Sequence, residues 1–290
     1  MSSSTDDAAV AAAGTVRIGS SVTVNRLGFG AMNLTGPGVW GPPEDRQAAI
    51  DLVRRAVDLG VNFIDTADAY GPFVSEEILC EALHPYGGVL VATKGGLTRP
   101  GPGRALPVGR PEYLRQCVEM SLRRLRVERI ELYQLHRIDP LVPVADQIGE
   151  LAQLQAEGKI GQLGLSAVTV EELQHVQTMA DIVSVQNRHN VVDRGSQALL
   201  DHCTATGIAF ISYSPMAIGR LAESEGPLQA TALRLGVTPS QVALAWLLRQ
   251  SPVVVPIPGT RSVTHLEENC RAAAIELDEE ANAALSALAG

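Results

Sequence analysis

The chain has 290 residues, 46% of them hydrophobic, enough for the core of one large α/β domain or of two small ones. With 32 acidic against 23 basic residues the formal net charge is −9, and no basic stripe offsets it, which argues against nucleic acid or a membrane surface and favours a small-molecule partner. No apolar run approaches the roughly 18 residues of a membrane span, and Cys80, Cys117, Cys203 and Cys270 stand too far apart for a C-x-x-C or zinc-ligand pattern, so no metal is expected.

Residues 1–14 are rich in Ser and Ala and carry Asp6 and Asp7. A secretory signal needs a basic start and a longer apolar core, so a disordered tail on a cytoplasmic protein is expected, with residues 15–290 forming a single domain. Val16, Ile18, Val22 and Val24 alternate with polar residues and predict a short β-hairpin. Strand-like runs over 27–32, 62–65, 89–94, 130–136, 160–166, 182–186, 209–213 and 253–257 then alternate with helical patterns, the rhythm of βαβ units. Ala48, Ile50, Leu52, Val53, Ala56 and Val57 make one apolar helix stripe, and Leu151 and Leu154 belong to another. Thr169 and Glu172 have the spacing of a capping box, while Gly60, Gly158 and Gly207 follow helical stretches where a left-handed cap is expected. The Pro- and Gly-rich stretch 100–107 reads as an irregular loop after a strand.

Gly28 and Gly30 begin like a dinucleotide fingerprint, but Asn33 stands where its third glycine should be and no long helical pattern starts there. A doubly wound sheet is therefore disfavoured. The expected fold is a (β/α)8 TIM barrel with the N-terminal hairpin closing its bottom.

Laid side by side, the strands carry unusual polar residues at their C-terminal ends: Asp65, Lys94, His136, Ser166, Gln186 and Tyr213. In a barrel these ends meet on one face, so a pocket follows. Lys94 is one of only two lysines, with Lys159, in a chain that otherwise uses arginine, and lysine is the cation whose pKa can be tuned. Reduction of a carbonyl needs a proton donor, and Tyr70, just beyond Asp65, is the candidate. An ammonium at Lys94 would lower the phenol pKa, a carboxylate at Asp65 would fix that ammonium, and His136 would align the substrate oxygen. Each alone has an ordinary structural role, Asp65 capping a turn, Lys94 solvated, His136 packed in the core; their order together points to chemistry. A Schiff-base aldolase barrel, with Lys94 as nucleophile, is an alternative.

The stretch 63–71 (FIDTADAYG) resembles the signature of the aldo-keto reductase superfamily, and 91–94 (VATK) and 133–136 (YQLH) are similar to its next motifs. The likeness continues through 164–166, 185–187, 213–215, 257–261 and 266–269 and so spans most of the chain. It implies an enzyme that reduces an aldehyde or ketone with NADPH, using Asp65, Tyr70, Lys94 and His136. It further implies that Ser166 and Gln186 hold the nicotinamide carboxamide, that Tyr213 stacks on the ring, and that Gly259, Arg261, Glu268 and Asn269 hold the adenosine end. Gly30, Ala31, Met32 and Asp65, then Ser214, Pro215, Met216 and Gly219, and finally Ile257, Thr260 and His265 complete the implied cofactor contacts. Met32, Trp40, Tyr70 and His136 would line the substrate pocket. Ala167 departs from the pattern, which usually has Asn there, and removes one expected carboxamide contact. The segments around 30–43 and 257–260 are similar to bacterial members that include pyridoxal reductases. A non-catalytic NADPH-binding sensor or regulatory subunit of the same fold would carry the same residues. The sequence gives no handle on oligomeric state.

Overall fold

A computed structural model describes residues 9–20, 22–216 and 226–288. Strands β1 (Thr15–Ile18) and β2 (Val22–Asn25) pair antiparallel, Val16 opposite Val24 and Ile18 opposite Val22. Their inward residues Val16, Ile18 and Val24 join a core that also holds Ile130, Ile160 and Ile182, the first residues of three barrel strands. The hairpin thus plugs the N-terminal end of the barrel, as the alternation of its apolar residues requires.

The barrel strands are β3 (Phe29–Gly30), β4 (Phe63–Asp65), β5 (Leu90–Gly95), β8 (Ile130–Leu135), β9 (Ile160–Ser166), β10 (Ile182–Arg188), β11 (Ala209–Tyr213) and β12 (Val254–Pro256). They pair in chain order, every pair parallel. Closure comes from Gly28 N donating to Pro256 O at 2.9 Å and Gly30 N donating to Pro258 O at 3.2 Å. Only glycine fits this seam: a Cβ on Gly30 would lie 2.7 Å from Ile257 O, and one on Gly259 would lie 2.6 Å from Gly30 O. That crowding explains why β3 is shorter than the apolar run 27–32, since after Gly30 the chain tightens into a 3₁₀ turn over Ala31–Leu34.

Helices cover the outside. Helix α1 (Arg46–Asp58), capped by Asp45, buries Ala49, Ile50, Leu52, Val53 and Ala56 while Ala48 stays exposed. Around the ring follow α2 (Val74–Leu83), α3 (Pro111–Leu125), α4 (Val144–Ala156), α5 (Val170–Gln177) and α6 (Gln197–Thr206). The Thr169–Glu172 capping box opens α5 as expected, and Gly60, Gly158 and Gly207 all have positive φ, at 91°, 81° and 74°. Among the described residues between β11 and β12 lie α7 (Pro227–Leu235) and α8 (Pro239–Gln250), followed after β12 by α9 (Val263–Arg271) and α10 (Glu279–Ser286).

Two expectations need correction. The stretch 100–107 is no irregular loop: it belongs to a second hairpin, β6 (Leu97–Gly101) with β7 (Arg104–Pro107), turning on Pro102-Gly103. Its prolines sit in a two-stranded ribbon outside the barrel sheet, where few ladder hydrogen bonds are lost. Of the expected tail, residues 1–8 lie outside the described residues, but the rest is ordered. Ala9–Ala13 form a 3₁₀ turn, because Val10 is buried in a cluster with Leu59, Ala272 and Ala273 that gives these residues a docking surface.

Just after β10, His189 is buried against Trp246 (ring centroids 6.0 Å, stacked) and Phe210 (5.8 Å, edge-on), and neither ring nitrogen has a partner among the described residues. Burial pushes its imidazole down to about 4, with Arg194 adding to the effect. The folded pKa lies below the unfolded one, near 6.5, so the unfolded chain binds the extra proton and stability falls as pH drops from about 6.5 to about 4. In urea melts at pH 7 and pH 4, the wild type should lose about 3 kcal/mol more than His189→Leu does. Equal losses in the two proteins would remove His189 as the acid-sensitive group.

Candidate active site

Because the barrel strands are parallel, their C-terminal ends share one rim, and Asp65 ends β4, Lys94 lies next to the end of β5, His136 follows β8, Ser166 ends β9 and Tyr213 ends β11. Gln186 is level with Ser166 on the neighbouring strand. Tyr70 comes from the loop after β4, which is tied to β5 by Thr66 N donating to Ala92 O (2.8 Å) and Asp68 N donating to Lys94 O (3.1 Å).

The Lys94 ammonium is fully buried and uses all three of its donors: to Asp65 Oδ1 at 2.6 Å, to Thr66 O at 2.8 Å and to the Tyr70 hydroxyl at 3.3 Å. Asp65 Oδ2 accepts from Gln186 Nε2 (2.7 Å) and Gln134 Nε2 (3.2 Å). Since the Tyr70 oxygen accepts from Lys94, its own proton is left to point elsewhere, toward the cavity the ring lines. Burial by itself would lower the Lys94 pKa, but the Asp65 carboxylate and Tyr70 hold it above its usual value. A protonated, ion-paired lysine is a poor nucleophile, which disfavours the aldolase reading.

Tyr70 corrects an expectation. Burial raises its pKa and outweighs the pull of Lys94 downward, so the phenol stays protonated through the neutral range. The His136 ring meets Tyr70 edge-on at 5.9 Å, and burial, reinforced by Lys94, Arg137 and Arg99, drives its pKa well down. It is therefore a neutral imidazole, with Nδ1 lacking a partner among the described residues.

These groups line a cavity of about 560 Å³. Of the expected contacts, Gly30, Met32, Asp65, Tyr70, His136, Ser166, Gln186, Tyr213, Ser214, Pro215, Met216, Ile257 and Gly259 face it. Thr260 and Arg261, just before the α9 cap Ser262, and His265, Glu268 and Asn269 within α9 lie outside its lining, in one group at that helix. Ala31 is fully buried and not in the wall, because the 3₁₀ turn carries it inward to accept a hydrogen bond from Ser75 Oγ. Trp40, expected at the mouth, is 38% exposed and bridges to Gly71, and its neighbour Val39 lines the cavity instead. Gly219 lies outside the described residues. Ala167 holds a left-handed backbone at φ 52°, a conformation asparagine tolerates better than alanine.

Sequence reasoning missed Gln134, Asn33, Arg99 and Arg137. Gln134 had a signal, a polar residue inside the apolar strand ending in His136. Asn33, whose Nδ2 donates to Gly259 O at 3.0 Å, stands where the third glycine of a dinucleotide fingerprint would be. Arg99 enters from β6 of the second hairpin, just before the stretch 100–107 expected to be a loop.

Residues 26–289 match the model of the Aldo/keto reductase family. An uncharacterized oxidoreductase of Schizosaccharomyces pombe is 50% identical over 273 residues, 94% of this chain and 89% of its own. Pyridoxine 4-dehydrogenase of Escherichia coli is 40% identical over 265 residues, 89% of this chain and 92% of its own. Among solved structures, an aldo-keto reductase from Klebsiella pneumoniae in complex with NADPH aligns at a TM-score of 0.81 and 28% identity, covering 94% of both chains. With its eight-stranded parallel barrel and a match that takes in Asp65, Tyr70, Lys94 and His136, this chain belongs to the aldo/keto reductase family.

Proposed function

We propose that this protein is an NADPH-dependent oxidoreductase that reduces a small aldehyde or ketone to an alcohol, with Tyr70 giving the proton. The observation that carries the proposal is the Lys94 ammonium held between Asp65 Oδ1 at 2.6 Å and the Tyr70 oxygen at 3.3 Å on the cavity wall. NADPH, when bound, supplies the hydride. Tyr70 holds the proton on its hydroxyl and releases it to the oxygen of the reduced carbonyl. Lys94 stabilises the phenolate left behind, and Asp65 keeps Lys94 charged and aimed. His136, neutral, donates a hydrogen bond that orients the carbonyl oxygen without adding positive charge.

Groups left open in the protein fit that cofactor. Gln186 uses its NH₂ on Asp65, which leaves its carbonyl oxygen to accept from a carboxamide, and Ser166 stands level with it. Asn269 Nδ2 is buried without a partner among the described residues, at the helix where the adenosine end is expected. Arg261, exposed beside the α9 N-terminus, is the group assigned to the 2′-phosphate. Arg261→Ala should therefore raise the KM for NADPH about 10- to 100-fold and that for NADH much less, since a hydrogen bond to a charged partner is worth about 1.5–3 kcal/mol. Equal effects on both dinucleotides would remove that assignment.

Pyridoxal is the leading specific substrate, supported by the relative named pyridoxine 4-dehydrogenase. A cytoplasmic location is supported by four buried free cysteines, which fit a reducing compartment, and no described helix is long and apolar enough to cross a membrane. The test is NADPH consumption by the purified protein with a panel of carbonyl compounds that includes pyridoxal and benzaldehyde. No turnover of any of them would overturn the proposal.

A further inference from the structure

The ionisable groups around the cavity are unbalanced. Asp65 is the one carboxylate among the described lining residues, and it is paired with Lys94; His136 is neutral. What remains is a pair of guanidinium cations, Arg99 and Arg137, and neither makes an ion pair with any described residue. In a chain of net charge −9, where half of the described arginines pair with a carboxylate, two unneutralised cations at one cavity need a reason.

Both are fixed in place by one edge of the guanidinium. Arg99 donates through Nη2 to Gly38 O (2.6 Å) and Val39 O (3.1 Å), and its hairpin is docked by Gly103 N donating to Gly38 O at 2.8 Å. Its Nε is buried and has no partner among the described residues. Arg137 donates through Nη1 to His136 O (3.1 Å) and Ser166 Oγ (3.3 Å). A guanidinium carries five N–H donors, so each keeps donors in hand after its anchoring contacts. Both stand close enough to the reacting groups to lower the His136 pKa, and Arg137 also acts on Tyr70. Pre-anchored forks with open donors are what binds a carboxylate or phosphate, and they lose little side-chain entropy in doing so.

We infer that Arg99 and Arg137 form a subsite for an anionic group on the carbonyl substrate, so that this enzyme prefers aldehydes or ketones bearing a carboxylate or phosphate over neutral ones of the same shape. The inference rests on the reductase reading above. It adds that the substrate's charge is read at the wall formed by the second hairpin and the residue after His136.

The test uses the full chain with NADPH and compares kcat/KM for para-carboxybenzaldehyde with that for benzaldehyde, and for pyridoxal 5′-phosphate with that for pyridoxal. At least one anionic member should be favoured by about tenfold or more, and which pair shows it distinguishes carboxylate from phosphate. In Arg99→Gln and Arg137→Gln that ratio should fall about tenfold, and Arg99→Lys or Arg137→Lys should recover part of it because charge is kept while the fork is lost. A circular dichroism melt of each variant separates misfolding from lost recognition, and the Lys variants preserve the test where a Gln variant does not fold. If benzaldehyde and pyridoxal are reduced but neither anionic partner is favoured, the subsite is overturned and the reductase reading stands. A fall in turnover of both members of a pair with an unchanged ratio, or a rise in the KM for NADPH alone, also overturns it, assigning the arginines to the cofactor. If no carbonyl is turned over, both readings fall together.

Discussion

Tyr70→Phe should lower kcat for carbonyl reduction by roughly 10²–10⁴-fold, the usual loss when a positioned proton donor is removed, while NADPH binding stays close to wild type. The substitution is mild for the fold. Tyr70 gives up one oxygen whose described contact is the 3.3 Å hydrogen bond from Lys94, and the ring can keep its edge contact with His136. The chemistry loses more, because the phenol proton is the one donor at the cavity wall whose oxygen already accepts from an ammonium. Reduction requires the protonated phenol, and burial raises its pKa, so wild-type activity should hold on a plateau through neutral pH and fall only as alkaline pH deprotonates Tyr70. Fluorescence titration with NADPH and a pH profile of kcat check both halves. Loss of cofactor binding in Tyr70→Phe, or an alkaline limb retained in that variant's residual activity, would take the proton-donor role away from Tyr70.

How far the sequence foretells such a site depends on where the information sits. The run 160–166 matches β9 end to end, and 209–213 matches β11, because each is a short, mostly apolar stretch that opens just after a glycine-marked helix end, at Gly158 and Gly207. The local pattern fails at 27–32, where the limit on β3 is set by Ile257 O and Gly259, far away in the chain. Asp65, Lys94 and His136 were legible because parallel strands carry their last residues to one rim whatever the detailed packing. Trp40 and Ala31 stand outside the cavity lining because a residue's direction within a short 3₁₀ turn or loop is decided by tertiary contacts, here Gly71 and Ser75. Tyr70 shows a different limit. The ammonium beside it could be read from the motif, but the competing cost of burial could not, and burial is the larger effect. Arg99 reaches the cavity only because 97–107 folds as a hairpin anchored to Gly38, a contact across more than sixty positions that no local pattern records.

Lys94→Met tests whether the ammonium acts in the chemistry or only holds the site together. Removing it leaves Asp65 buried with two amide donors and no cation, and breaking a buried pair in this way costs about 3–5 kcal/mol of stability. Activity should fall as well, by roughly 10²-fold or more, since nothing then stabilises the phenolate that Tyr70 becomes on giving up its proton. Loss of both properties is ambiguous by itself, and the double variant Asp65→Asn with Lys94→Met resolves it. Replacing both members removes the uncompensated charge, and the Asn oxygen can still accept from Gln134 or Gln186, so the urea midpoint should recover most of the way to wild type. Turnover should not recover, because the phenol still lacks its cation. A double variant that regains stability and turnover together would show that Lys94 serves the fold alone, and the proton would then have to leave Tyr70 without help from an ammonium 3.3 Å away.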